Sequence, residues 1–158
     1  MKNKPLWYGG LALSVLAAVL LADKKRPHPG ATRPNPKAPA RTRQRIYVAA
    51  RPERVWQVLS RLEEWPRWQP AIRAVRLRGP LRPGTLFDWK FSGTRMHSVL
   101  HTVVPQQALG WSGWATGSSA VQNWTLTPYP DGGTDVRVEE SLEGWLGRLL
   151  RPAFQHRL

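Results

Sequence analysis

The feature that most constrains the fold is a series of six segments in which apolar and polar residues alternate. A period of two places successive side chains on opposite faces of a β-strand. The segments are residues 72–78, 85–92, 95–104, 108–115, 119–127 and 134–141. Turns rich in glycine and proline separate them, and such short connections indicate antiparallel neighbours. The pattern therefore predicts an antiparallel sheet with one buried face.

Other patterns precede and follow this sheet. A first strand is expected at residues 45–50, followed by a helix that begins at Pro52, since proline suits the first helical turn. A short helical turn and loop is expected at residues 65–70, where two prolines exclude a longer helix. Residues 146–158 carry apolar side chains at spacings of 1, 3 and 4, which predict a C-terminal helix. The fold class is therefore α+β, with a curved sheet of strands wrapped around the last helix.

The first 45 residues differ in composition from the rest of the chain. They contain ten of the 24 lysines and arginines and one of the ten acidic residues, so they account for +9 of the net charge of +14 and leave +5 for the remainder. The charge is mainly a property of the N-terminal segment and does not indicate specific nucleic-acid binding by the folded part. The absence of cysteine excludes disulfides, thiolate catalysis and cysteine-based zinc sites.

An uncharged run of seventeen residues, 6–22, follows a basic start at residues 1–5. As a helix it would extend about 25 Å, the short limit for a membrane span. A cleaved signal is the alternative, but the one plausible cut, after Ala22, has the large Leu20 two residues earlier. We expect a single-pass anchor in a bacterial inner membrane. The side on which the folded part lies stays open, because the basic start and the basic residues after the run favour opposite orientations.

Residues 23–42 form a proline-rich, basic segment without apolar periodicity. Such a composition predicts an extended, semi-rigid linker that contacts the membrane surface through its basic side chains. The folded domain is then expected to comprise residues 43–158.

Six short motifs occur in an order typical of a known superfamily. They are Ile46–Trp56, Trp65–Pro70, Pro83–Trp89, Leu109–Gly113, Gly132–Val136 and Glu140–Gly144. Over residues 45–158 the chain resembles the SRPBCC superfamily, which includes START lipid-transfer domains and the birch-pollen allergen, and within it the polyketide cyclase/dehydrase-like branch. The resemblance implies a helix-grip fold with an internal cavity for lipids, sterols, polyketides or other apolar molecules, and it does not imply catalysis.

The C-terminus departs from the pattern of this superfamily. Members usually end in a long helix across the sheet, whereas here only 15 residues follow Glu143 and Pro152 interrupts them. The lid over the cavity is expected to be short, and a truncated reading frame is a further alternative.

The candidate ligand-binding residues lie at inward positions of the predicted strands or at the start of the last helix. They are Phe87, Trp89, Phe91, Met96, Ser98, Trp111, Gln122, Trp124 and Trp145. Aromatic walls suit flat apolar ligands, and Gln122 could orient a ligand carbonyl or hydroxyl group. The alternatives are plain core packing for the aromatic residues and a rim position for Gln122.

Glu140 is the weak candidate for a catalytic residue, since a buried carboxyl group could act as an acid or a base. The alternative is a solvated side chain or one paired with an arginine. His97 and His101 lie about 13 Å apart on one strand, which is too far to share a metal ion, and we expect both to face outward into solvent. No serine has a histidine and an aspartate arranged around it, so a hydrolase triad is not expected. No metal and no cofactor are expected.

Three functions are compatible with these observations. The first is a membrane-tethered binding or carrier module for a small hydrophobic ligand, such as a lipid, a quinone or a polyketide. The second is a cyclase or dehydratase that acts on a bound apolar ketone, and the residues favour binding over enzymatic activity. The third is a surface or assembly role of the basic tail, with the domain as an adaptor. The oligomeric state is not constrained by the sequence.

Overall fold

Seven strands form the body of the protein. The computed structural model describes residues 30–115, 117–144 and 148. The strands are β1 Ala40–Val48, β2 Ile72–Leu77, β3 Leu86–Phe91, β4 Thr94–Val104, β5 Ala108–Ala115, β6 Ser118–Pro128 and β7 Thr134–Gly144. They form one sheet in the order β1-β7-β6-β5-β4-β3-β2, and every neighbouring pair is antiparallel. The predicted antiparallel sheet and the α+β class are confirmed.

The alternation along the strands sorts the side chains as predicted. In β3, the side chains of Phe87, Trp89 and Phe91 are buried. The alternate residues Leu86 and Lys90 are exposed. We call the face that carries these buried residues the inward face and the opposite one the outer face. The main apolar core lies on the inward face.

Strand β1 begins five residues earlier than the predicted start at residue 45. It pairs with β7 along its whole length, from Ala40 opposite Leu142 to Val48 opposite Thr134. Residues 40–42 therefore belong to the sheet and not to the predicted linker. The sequence obscured this because the inward side chains at this end, Ala40 and Thr42, are small or polar and give no apolar alternation.

The described part of the predicted linker also contacts the sheet. The backbone N–H of Asn35 donates to Ser141 Oγ at 3.0 Å, and its side-chain Nδ2 donates to Glu143 Oε1 at 3.0 Å. Further along, Asn123 Nδ2 donates to the carbonyl oxygen of Thr32 at 3.1 Å. Residues 32–38 thus form a strap across the outer face, and the expectation of a linker outside the folded domain is wrong for this stretch.

Two short helices connect β1 to β2. Helix α1, Pro52–Ser60, begins at the predicted proline, with Glu53 in its first turn. A 3₁₀ helix, Leu62–Arg67, follows and contains Pro66, whose missing N–H helps to keep the helix short. This helix begins three residues before the predicted turn at residues 65–70, and it brings Trp65 onto the inward face.

Two predicted segments lie outside the described residues. They are the membrane span at residues 6–22 and, except for Arg148, the C-terminal helix at residues 146–158 with its short lid. Within the part of the chain that is described, no helix is long and apolar enough to cross a membrane.

Candidate functional site

The inward face of β3–β5 is filled by packed aromatic rings. Trp65 contacts Phe87, Trp89 and Trp111, with ring centroids 6.0, 6.3 and 5.1 Å away. Trp89 also contacts Phe91 at 6.3 Å. The Trp65 Nε1–H donates to the carbonyl oxygen of Leu59 at 2.9 Å, which fixes the indole in place. At this end of the sheet the predicted ligand-binding aromatics pack against one another, and their role in ligand binding stays a prediction.

Met96 and Ser98 belong to the same packed region. Both side chains are buried on the inward face of β4. Ser98 Oγ accepts a hydrogen bond from Trp89 Nε1 at 3.1 Å. The polar atoms that this hydrogen bond joins are therefore satisfied by protein partners.

A row of polar side chains crosses the inward face at the other end of the sheet. Glu140 on β7 lies opposite Thr42 on β1 and opposite Gln122 on β6. Cross-strand neighbours of this kind have Cβ atoms about 5 Å apart, so the three side chains lie side by side. Thr42, Glu140 and Gln122 are 6%, 6% and 3% exposed. We call these three residues the polar row.

The polar row lies between two apolar regions of the inward face. On one side are the small cluster of Ala40 and Leu142 and the half-buried Ala120 that packs on it. On the other side Trp124 and Val138 lie opposite each other and belong to the main core. The row is thus a polar strip in an otherwise apolar surface.

Several atoms in and beside the polar row have no hydrogen-bond partner. They are Thr42 Oγ1, Gln122 Nε2, Glu140 Oε2 and, next to the row, Trp124 Nε1. Trp124 is 6% exposed. Native proteins satisfy the great majority of their buried polar atoms, so these four atoms need partners that the described side chains do not supply.

Burial alone determines the charge of Glu140. Desolvation raises its pKa from 4.5 to about 8, because a buried carboxylate loses its hydration. Every lysine and arginine in the described residues is exposed, so none of them neutralises this carboxyl group. Glu140 is therefore neutral at pH 7 and can donate a hydrogen bond. The alternative of a solvated or arginine-paired side chain is wrong, because Glu140 is 6% exposed and every described arginine is exposed.

The two histidines face outward, as predicted, but neither is simply solvated. His97 Nδ1 lies 2.6 Å from Asp88 Oδ1, and Arg78 bonds the other oxygen of the same carboxylate. His101 lies at an irregularity in the β4–β5 pairing, and burial lowers the pKa of its imidazole. Among the described residues no three histidine or acidic side chains come together in a group that could hold a metal ion.

The structure brings together some predicted site residues and separates others. Gln122, Trp124 and Glu140 lie at one end of the inward face, with Thr42, which the sequence had assigned to the linker. The aromatic residues of β3 lie at the other end with Trp65, and Trp111 on β5 lies between the two groups, opposite Gln122 and in contact with Trp65. Trp145 lies outside the described residues. No apolar signal in the sequence marks Thr42, because the inward residues of β1 before Ile46, namely Gln44, Thr42 and Ala40, are polar or small.

A seven-stranded antiparallel sheet with two short helices after its first strand and a buried inward face is the arrangement of START-like proteins of the SRPBCC superfamily. The sequence profile of the family described as polyketide cyclase/dehydrase and lipid transport matches residues 39–158. The chain belongs to this family. No curated protein matches the chain.

Solved structures with low sequence identity share the fold. A hypothetical protein of Helicobacter pylori superposes with a TM-score of 0.69 at 15% identity, over 89% of this chain and 91% of that one. A START superfamily protein of Mycobacterium smegmatis has a TM-score of 0.62 at 14% identity, over 75% of this chain and 90% of that one. A protein in the dynemicin biosynthetic locus, DynU16, has a TM-score of 0.55 at 20% identity, over 75% of this chain and 45% of that one.

Proposed function

We propose that the protein is a binding or carrier module for a small hydrophobic ligand, which lies on the inward face against the polar row. The main support is the group of buried polar atoms without partners in and beside the polar row, which interrupts an otherwise apolar surface. Each buried unsatisfied polar atom costs about 1–3 kcal/mol, and a bound molecule that supplies partners would recover part of that cost. The family description, which includes lipid transport, supports the same reading.

The proposal includes a membrane tether at residues 6–22. Its support is the uncharged run in the sequence, followed by the basic residues of the linker. The strap would fix where the tether joins the domain, because its hydrogen bonds to Ser141, Glu143 and Asn123 hold the chain on the outer face. A tether that leaves from the outer face would keep the inward face free to exchange ligand with the bilayer.

Native mass spectrometry of the full-length chain, purified from a bacterial membrane, tests this function. We expect a small apolar molecule to co-purify with the protein. Ala120→Phe adds bulk beside Gln122 on the inward face and should abolish this co-purification. Thr125→Phe places the same phenyl ring at an exposed outer position of β6 and is the matched control. A protein that is consistently empty, and that fails to bind the neutral dye N-phenyl-1-naphthylamine, would refute the proposal.

A second candidate function is a cyclase or dehydratase, and the buried carboxyl group of Glu140 favours it. A neutral acid with a pKa of about 8 could polarise the carbonyl group of a bound ketone. The test is incubation with 4-hydroxydodecan-2-one, which loses water to form a conjugated enone that absorbs in the ultraviolet. Enzymatic activity predicts enone formation that Glu140→Gln abolishes, whereas a carrier binds the compound without converting it.

A further inference from the structure

We infer that the polar row and Trp124 form a donor site for the carbonyl oxygen of a neutral, otherwise apolar ligand. This inference rests on the proposed function, since it assigns the chemical class of the ligand that the inward face holds. It follows from the kind of atom that lacks a partner, from the arrangement of these atoms and from the charges around them.

The unpartnered atoms are mostly donors. Gln122 Nε2 and Trp124 Nε1 carry N–H groups and cannot accept a hydrogen bond. Glu140 is neutral and carries an O–H group, and the hydroxyl group of Thr42 can donate as well. A molecule that satisfies these atoms must bring acceptor oxygens.

The register of the strands places these donors within reach of one small ligand. Glu140 has Gln122 as its direct neighbour on β6 and Thr42 as its direct neighbour on β1. Trp124 follows Gln122 by two residues on the same face, about 7 Å along the strand. The apolar remainder of the ligand would contact Val138 and Trp124 on one side or Leu142 and Ala40 on the other.

The charges around the row select against ionised head groups. An ammonium group brings only donors, which Gln122 Nε2 and Trp124 Nε1 cannot accept, and Glu140 could pair with it only after losing its own proton. A carboxylate brings acceptors, but every lysine and arginine in the described residues is exposed, so its buried charge would have no cation among them. A neutral carbonyl oxygen meets both conditions, and each such oxygen can accept from two of these donors.

Four probes with the same chain length test this inference on the full-length protein. The probes are dodecane, dodecan-2-one, dodecylamine and dodecanoate. The measured quantity is the displacement of bound N-phenyl-1-naphthylamine by each probe, at pH 7 and at one fixed detergent concentration. We expect the ketone to bind about tenfold or more tightly than the other three, as one or two satisfied hydrogen bonds would give. If the dye binds and all four probes displace it equally, the head-group inference is wrong and the binding function stands. If the dye does not bind at all, the binding function itself fails.

Matched variants separate hydrogen bonding from packing. Trp124→Phe removes the indole N–H and keeps an aromatic ring, and Glu140→Leu removes the carboxyl group and keeps a side chain of similar size. Both should lower the preference for dodecan-2-one over dodecane several-fold and leave dodecane affinity within about twofold. Glu140→Gln keeps an N–H donor and should retain most of the preference. A preference for the ketone that survives both Trp124→Phe and Glu140→Leu in folded protein would overturn the inference.

Discussion

The two ends of the inward sheet face differ in how their polar atoms are satisfied. At the β3–β5 end, Trp89 Nε1 donates to Ser98 and Trp65 Nε1 donates to Leu59, and the rings pack against one another. At the β1–β7–β6 end, Glu140 Oε2 and Gln122 Nε2 are equally buried and have no partner. The first end has the properties of a protein core, and the second is the place where we propose that the ligand binds. Burial alone does not distinguish them; among the described residues the number of unpartnered atoms does, since Trp68 Nε1 lies at the aromatic end and four such atoms lie in or beside the polar row.

Removal of the central ring of the aromatic end should have the largest effect on stability. Trp65→Ala deletes the indole that contacts Phe87, Trp89 and Trp111, and we expect the free energy of unfolding to fall by about 3–5 kcal/mol. Urea unfolding followed by circular dichroism measures the change. Tyr129→Ala, at an exposed position, is the control and should have a much smaller effect. A small effect of Trp65→Ala would mean that the aromatic end is not the core.

At the end of the face that contains the polar row, the buried carboxyl group of Glu140 should make stability depend on pH. Because the pKa of Glu140 is about 8 in the folded state and 4.5 ordinarily, the folded state retains a proton that the unfolded state loses between these values. The contribution of Glu140 to the free energy of unfolding is therefore fully present below pH 4.5. It falls by a few kcal/mol as the pH rises to about 8. No described residue that faces Glu140 titrates; these residues are Thr42, Gln44, Ala120, Gln122, Trp124, Val138 and Leu142.

Glu140→Gln should flatten this part of the profile, because the amide does not titrate. Thermal melts of the two proteins across this pH range provide the comparison. Equal slopes for the wild-type and Glu140→Gln proteins would show that Glu140 is ionised and solvated in the folded state.

Paired substitutions at the two ends should change stability in opposite directions. Ser98→Ala leaves Trp89 Nε1 without its acceptor and should lower the free energy of unfolding by about 1–2 kcal/mol. Glu140→Leu removes an unpaired polar group and should leave it unchanged or raise it by about 1–2 kcal/mol. Both are measured by urea unfolding at pH 7 without ligand. A loss of stability in Glu140→Leu equal to that in Ser98→Ala would remove the distinction between the two ends.

The strap should make the smallest contribution to the free energy of unfolding. Asn35→Ala removes the side-chain bond to Glu143, and we expect a loss of no more than about 1 kcal/mol. Hydrogen exchange should increase at residues 32–38 and at the end of β7 near Ser141, and it should remain unchanged in β3 and β4. A uniform increase over the whole sheet would show that the strap supports the fold as a whole.

Most of the fold could be predicted from local patterns. The alternation from Ile72 onward fixed six strands to within three residues at their ends, and Pro52 marked the start of the first helix. The beginning of β1 could not be predicted, because its inward residues Ala40 and Thr42 carry no apolar signal. These positions are fixed by pairing with β7, a contact between residues about 100 positions apart in the chain.

The candidate site was only partly predictable for the same reason. Alternation placed Gln122, Trp124 and Glu140 on the inward face. It could not show that Glu140 would be buried, because burial of an inward side chain depends on what packs over the sheet face and not on the pattern of its own strand. It also could not separate binding residues from core, since Trp89 and Trp124 have the same pattern. The difference lies in Ser98, which supplies a partner to Trp89, and in the lack of such a partner for Trp124.

The most direct test of the account is the pKa of Glu140, measured by carbon-13 NMR of its side-chain carboxyl group with and without dodecan-2-one. Without the ketone we expect titration near pH 8. With the ketone the pKa should rise further, because a carbonyl oxygen that accepts from the neutral carboxyl group stabilises the protonated form. A pKa close to 4.5 that the ketone does not change would contradict both the burial of Glu140 and its place in a binding site.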